Sequence, residues 1–219
     1  MNVMLLIEKN SPPRDFTTYI QQENAHFDDM PTDVKNNLRL ALMKEQGYVC
    51  AYCMGSLRAD EGNKNVKIEH YRARTAGNEL EYKNLLAVCK GNEGEPLNKQ
   101  NCDTKKGNQV LHINPQKQAD IKAISYDSNG HIFASNAEFQ RDLNEVLNLN
   151  GEEGYLVENR KLTLKAFQKR VLKKLGARTA TGEDWRNFAK SIRDDNGRYI
   201  PYAGIILWYI NKKLKQIAK

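Results

Sequence analysis

CAYC at 50–53, VKIEHYRAR at 66–74, YKNLLAVC at 82–89 and CDTKKGN at 102–108 form the stretch that decides the fold. All four cysteines of the chain, Cys50, Cys53, Cys89 and Cys102, lie inside it, and the pair Glu69-His70 separates the first two from the last two. Cys50-x2-Cys53 is a knuckle whose sulfurs reach a single ion, and a second pair completes a tetrahedral zinc site. The second pair, Cys89 and Cys102, is looser. Its KGNEGEPLNKQN loop is polar and rich in turn formers, so it can extend outward while its ends close on the metal. Four thiolates leave no open coordination position, which makes such a zinc structural. The competing reading is a redox-active CxxC with two ordinary buried thiols.

Outward from this stretch, the β-branched run Val66 to His70 predicts one strand, and Asn84 to Val88 a second that ends at Cys89. Asp103 to Asn108 predicts a helix start. Upstream, a short helix is expected from Asp15 to Gln22, with Phe16, Tyr19 and Ile20 on one side. A longer helix is expected from Thr32-Asp33 to a stop at Gly47. Val34, Leu38, Ala41 and Leu42 mark its buried face, widened by Leu40 and Met43. Downstream, Ile121 to Tyr126 and His131 to Ala134 flank Asp127-Ser128-Asn129-Gly130 as a hairpin. The remainder reads as helical: a short piece with Leu143, Val146 and Leu147, then Val157 to Leu175, a helix capped by Thr181 and Asp184, and Tyr202 to Ile217. The expected burying residues of these helices are Leu164, Phe167, Val171, Leu172 and Leu175, then Trp185, Phe188, Ala189 and Ile192, then Ile206, Tyr209, Ile210 and Ile217. The expected fold is therefore α+β: an N-terminal helical segment (1–47), a zinc-stapled core (48–114), and a β-hairpin plus mainly helical C-terminal region (115–219).

The central stretch also carries residues suited to hydrolysis. An imidazole at His70 titrates near neutrality and takes a proton from water when neutral. Glu69 and Asp103 offer hard oxygens for Mg²⁺ or Mn²⁺. An ion held by two carboxylates stabilises charge on a phosphate and its leaving oxygen. Asn84 is placed to fix His70 by bonding to it or to its loop. Arg72, Arg74, Lys105 and Lys106 are the expected phosphate contacts. Each residue also has a plain structural reading: a satisfied strand histidine, a turn asparagine, and an aspartate capping the following helix.

Lys and Arg number 34 against 27 acids, a formal charge of +7, and the pI is about 9.1. Such an excess suits a polyanionic partner, since binding phosphate releases counterions. The basic run from Arg160 to Lys174 is either a solvated helix face or a phosphate- or partner-binding surface. Mean hydropathy is −0.73, and no run reaches the roughly 18 apolar residues of a membrane span. MNVMLLIEKN lacks the pattern of a secretory signal, so a cytoplasmic location with reduced cysteines is expected.

The order Cys-x2-Cys, acidic-His, Asn-Leu-Leu, Cys, Cys-Asp-x-x-Lys-Gly resembles the HNH (ββα-metal) endonucleases. The resemblance implies a hairpin and helix around one catalytic metal, with His70 as general base and Glu69 as metal ligand where Asp is commoner. It places Asn84 at the middle Asn. It makes Asp103 the last ligand, where Asn or His is usual. Within that family CAYC, IEHYRAR, YKNLLAVC, CDTKKGN and the later LNLN and LVENRK are similar to the PtuB group of Septu and retron-linked antiphage systems. That similarity implies a bacterial defence effector with a PtuA-like ATPase partner, and in retron-linked systems a reverse transcriptase with its DNA–RNA product. The substrate is expected to be DNA, with structured RNA such as tRNA the other choice. The rival from a different class is a zinc-ribbon module that binds nucleic acid without cutting it.

Overall fold

The computed structural model describes residues 5–58, 65–176 and 178–218, and the fold is α+β with two small antiparallel sheets. Helix α1 (Arg14–Tyr19) leads to α2 (Thr32–Glu45), which buries Leu38, Leu42 and Met43 on the face predicted by their spacing. Ile20, expected on the buried side of the first helix, is exposed because α1 stops one residue before it. Just past α2, the Gln46 side chain accepts from the Ala87 N–H at 2.8 Å and donates to the Ala87 carbonyl at 2.7 Å. It thus satisfies backbone groups that an edge strand would leave unpaired.

That edge belongs to β2 (Leu85–Cys89), which pairs antiparallel with β1 (Val66–His70). Val66 lies opposite Cys89, and His70 opposite Leu85. Leu85 to Val88 are all buried, so this strand is clamped between α2 and the rest of the core. Asn84, expected to start the strand, instead closes a 3₁₀ turn (Tyr82–Asn84) immediately before it. Helix α3 (Cys102–Lys106) follows the long polar loop.

The second hairpin joins β3 (Ile124–Tyr126) to β4 (Ile132–Ala134). Its first strand is shorter than expected because residues up to Lys122 form a helix, α4 (Gln118–Lys122), which still buries Ile121. Helix α5 (Ala137–Arg141) then widens into a π-helical turn (Asp142–Val146) that buries Leu143 and Val146. Asp142, fully buried there, accepts hydrogen bonds from the backbone N–H groups of His112 and Ile113.

Helices α6 (Leu156–Leu175), α7 (Gly182–Lys190) and α8 (Ala203–Ile217) complete the chain. Phe167 of α6 meets Phe188 of α7 and Tyr209 of α8 edge-on, at 5.9 and 6.3 Å between ring centroids. Thr181 and Asp184 form the reciprocal cap their spacing implied. Leu172 and Ile217, expected to be buried, face solvent. A single apolar cluster includes Ile7, Leu38, Leu86, Ile121, Phe167 and Ile210, so it draws on all three expected segments.

Arg160, counted with a basic helix face from sequence, is buried instead. Its guanidinium donates to the carbonyls of Gly130 and Leu149, the latter at 2.6 Å. Gly130 makes the approach possible: its φ is +97°, and a Cβ there would lie 2.2 Å from the Val157 carbonyl oxygen. The arginine therefore ties the second hairpin and the segment through Leu149 to α6. That segment also supplies the Leu147 carbonyl that receives the Cys102 N–H at 3.0 Å.

Candidate metal centre and the hairpin beside it

The first two cysteines sit on a turn that folds back on itself after α2. Cys50 donates its N–H to the Gly55 carbonyl at 2.8 Å, and Met54 donates to the Cys50 carbonyl at 3.0 Å. The Gly55 N–H points at Cys53 Sγ, 3.3 Å away. Cys89 ends β2 and Cys102 opens α3, so the loop between them must bring its two ends together. It does so with Asn101 N–H donating to the Gly91 carbonyl at 2.9 Å. Gly91 has φ +56°, and a Cβ there would fall 2.0 Å from the Asn101 oxygen. Any other residue would break the pinch.

Cys50 Sγ lies 3.9 Å from Cys102 Sγ, and Cys53 Sγ lies 3.8 Å from Cys89 Sγ. All four sulfurs fall within 4.8 Å of one another. A tetrahedron of sulfurs about 2.3 Å from a zinc ion has edges of about 3.8 Å. The cluster therefore has the composition and spacing to hold a metal such as zinc. A disulfide needs about 2.05 Å. Cys50 and Cys53 are also both buried, whereas a redox CxxC needs an accessible nucleophile. Burial and the neighbouring sulfurs push the Cys102 thiol well above its ordinary range. Deprotonated together to hold a metal, four sulfurs this close would need its charge to offset theirs.

Beside the cluster, Glu69 of β1 and Asp103 of α3 face each other and interact through their side chains. Glu69 is buried, with Oε1 2.7 Å from Lys106 Nζ and accepting from the Tyr52 hydroxyl at 3.1 Å. Burial, then the adjacent Asp103 carboxylate, raises the Glu69 carboxyl to about 8, against the pull of Lys106. Burial also acts to raise Asp103, but hydrogen bonds from Glu69 and Lys67 outweigh it and hold that carboxyl below its usual range. Lys67 Nζ is 2.6 Å from Asp103 Oδ2. Two carboxyl groups, one of them protonated near neutrality, and two ammonium groups thus form one partly buried network.

His70, next in β1, makes a separate set of contacts. Its Nε2 lies 2.9 Å from the backbone carbonyl of Glu79, which can only accept, so Nε2 carries the proton. Nδ1 then keeps its lone pair and has no hydrogen-bond partner among the described residues. Burial lowers the imidazole pKa, and Arg74 and Lys106 act in the same direction, favouring the neutral ring. Asn84 does not touch the ring; it holds the loop. Its Oδ1 accepts from Arg72 N–H at 2.8 Å, and its Nδ2 donates to the Arg72 carbonyl at 3.1 Å.

The expected phosphate contacts divide. Arg72 and Arg74 are exposed, paired with Glu81 and Asp28, and Lys105 reaches the Leu97 carbonyl at 3.2 Å. Lys106 is 1% exposed, so it is a counterion for Glu69 and not a phosphate contact. It is the last residue of α3, and its ammonium also reaches the His70 carbonyl of β1 at 3.4 Å. Sequence reasoning missed Lys67, although a residue two before Glu69 on a strand shares its face. It also missed Tyr52, Glu79 and Phe27, for which local pattern carries no signal. No protein-family model matches the chain, and a search of curated proteins returns no similar sequence.

Two outcomes follow from this geometry. Metal bound by four cysteines contributes on the order of 10–16 kcal/mol, against 5–15 kcal/mol for whole-domain stability. Cys102→Ala is therefore expected to yield misfolded, zinc-poor protein by elemental analysis and circular dichroism; a well-folded, metal-free variant with wild-type melting contradicts the assignment. The second concerns pH. In the fold Glu69 keeps its proton to about 8, whereas the unfolded chain releases it near 4.3. The native state then binds more protons within that window, so stability falls as pH rises through it. Asp103, held low, acts in the opposite sense only at more acidic pH. Denaturant titrations at pH 5, 6.5 and 8, without added Mg²⁺, should show the wild type losing stability relative to Glu69→Gln; parallel curves would contradict the buried-acid account.

Proposed function

We propose that the protein is a metal-dependent endonuclease of the HNH kind, stapled by structural zinc. The observation that carries this reading is the facing pair Glu69 and Asp103, with His70 next in the strand offering a free Nδ1 lone pair. Glu69 and Asp103 would hold Mg²⁺ or Mn²⁺, which when bound supplies Lewis-acid stabilisation of phosphate charge. His70 accepts the proton of the attacking water at Nδ1, because its Nε2–H is committed to the Glu79 carbonyl. Asn84 keeps the following loop closed through Arg72. Lys67, about one-third exposed, is free to leave Asp103 when a cation arrives, while buried Lys106 stays in place. Arg72, Arg74 and Lys105 border the hairpin and are the proposed contacts to the nucleic-acid backbone, in keeping with the net charge of +7.

The resemblance of the motifs extends the proposal to an antiphage effector acting on DNA or a structured RNA with a PtuA-like ATPase. In the retron-linked form a reverse transcriptase and its product would join it. Among the described residues no helix is long and apolar enough to cross a membrane. One observation favours a second reading, a non-catalytic zinc module. Both carboxyl groups already have lysine partners, so the network can stand as a static polar cluster.

The two readings separate on substitution. His70→Ala is expected to stay folded, keep its zinc and bind substrate, with single-turnover cleavage reduced by about 10²–10⁴-fold. Asp103→Ala should also lose cleavage, with residual activity demanding more Mg²⁺ or Mn²⁺. Cleavage by His70→Ala at the wild-type rate removes His70 as the base.

A further inference from the structure

We propose that residues 26–28 form a strap that clamps the His70 imidazole and, through Glu79, fixes which ring nitrogen carries the proton. The inference rests on the reading of His70 as the base and adds His26, Phe27 and Glu79 as positioning residues for it. The strap lies between α1 and α2, far from the hairpin in sequence. It is anchored by Tyr19 of α1, whose hydroxyl donates to the His26 carbonyl at 2.6 Å and accepts from the His26 N–H at 3.2 Å.

From that anchor two contacts converge on His70. His26 Nδ1 lies 2.9 Å from Glu79 Oε1, and the backbone oxygen of the same Glu79 accepts from His70 Nε2 at 2.9 Å. A buried residue thus holds the strap with its side chain and the imidazole with its main chain. Phe27 supplies the second contact: its ring meets His70 at 4.6 Å between centroids with an interplanar angle of 76°. An edge-on ring at this distance occupies the space a tilting or flipping imidazole would need.

Phe27 is itself fixed. Lys35 Nζ of α2 lies 4.8 Å from its ring centroid, and the Arg74 guanidinium lies 6.0 Å from it. Arg74, from the loop that follows His70, also bonds Asp28 Oδ1 at 2.7 Å. Strap and loop therefore grip each other on both sides of the imidazole, while Asn84 holds the loop at Arg72. None of the three residues needs to reach substrate. Their effect passes through the orientation and tautomer of His70, as the partner of a catalytic or ligating histidine sets which nitrogen is free.

The test uses ¹⁵N-histidine NMR of the zinc-loaded full chain together with single-turnover cleavage in Mg²⁺. Wild type should show His70 as a single Nε2–H tautomer. Phe27→Ala and His26→Gln should mix the tautomers and lower the cleavage rate by on the order of 10²-fold, with substrate Kd unchanged. Phe27→Tyr keeps the ring and should restore both readouts. If Phe27→Ala loses its zinc or fold, Phe27→Leu, which keeps apolar volume without the ring edge, takes its place. A wild-type tautomer and rate in His26→Gln and in the Phe27 variant, with His70→Ala inactive, overturns the strap and leaves the nuclease reading intact. Loss of the single tautomer in these variants, in a protein whose wild type cuts nothing, does the reverse.

Discussion

Everything at the candidate site depends on four sulfurs being brought to tetrahedral spacing. Cys50 and Cys53 leave α2, Cys89 ends β2, and Cys102 opens α3, so closing the cluster fixes the strand and both helices relative to one another. Asp103 adjoins Cys102, and β2 is paired to the strand that carries Glu69. The same closure therefore sets the two carboxylates face to face. Four thiolates at this spacing would need a cation to offset their charge, and the cluster has the composition and spacing to hold one. Leu147 extends the dependence outward, since its carbonyl receives the Cys102 N–H and its segment is tied to α6 through Arg160.

The second organising feature is electrostatic. Burying Glu69 beside Asp103 is unfavourable for two negative charges, and the fold answers in two ways. Glu69 keeps its proton to about 8, and Lys106 and Lys67 face the pair at 2.7 and 2.6 Å. The lysines differ in what they can do. Lys106 is enclosed between β1 and α3, so moving it would strand a buried charge. Lys67 is about one-third exposed and can swing into water at little cost. The network therefore has one fixed and one movable cation.

Much of this was legible in the sequence, for reasons that differ by element. The four cysteines were readable because one CxxC knuckle and a looser second pair account for every cysteine in the chain. The strand Val66–His70 and the faces of α2 and α7 followed from periodicity and caps. Reading failed where tertiary contacts decide. Arg160 and Lys106 sit among exposed-looking basic runs, yet each fills a buried position whose partners come from distant segments. Asn84 and Phe27 show the same limit: the loop and the imidazole they hold are brought to them by the hairpin and by α1, and neither relation leaves a local pattern.

The central claim is hydrolysis of nucleic acid at the Glu69, His70 and Asp103 site. Its most direct measurement is incubation of zinc-loaded protein with plasmid DNA and with total RNA, in Mg²⁺ or Mn²⁺ and in neither, alone and with the products of neighbouring genes. The account predicts cleavage that needs the added divalent ion while the zinc stays bound. Intact substrates under every condition, with zinc bound and nucleic acid retained, would contradict it and leave a binding module.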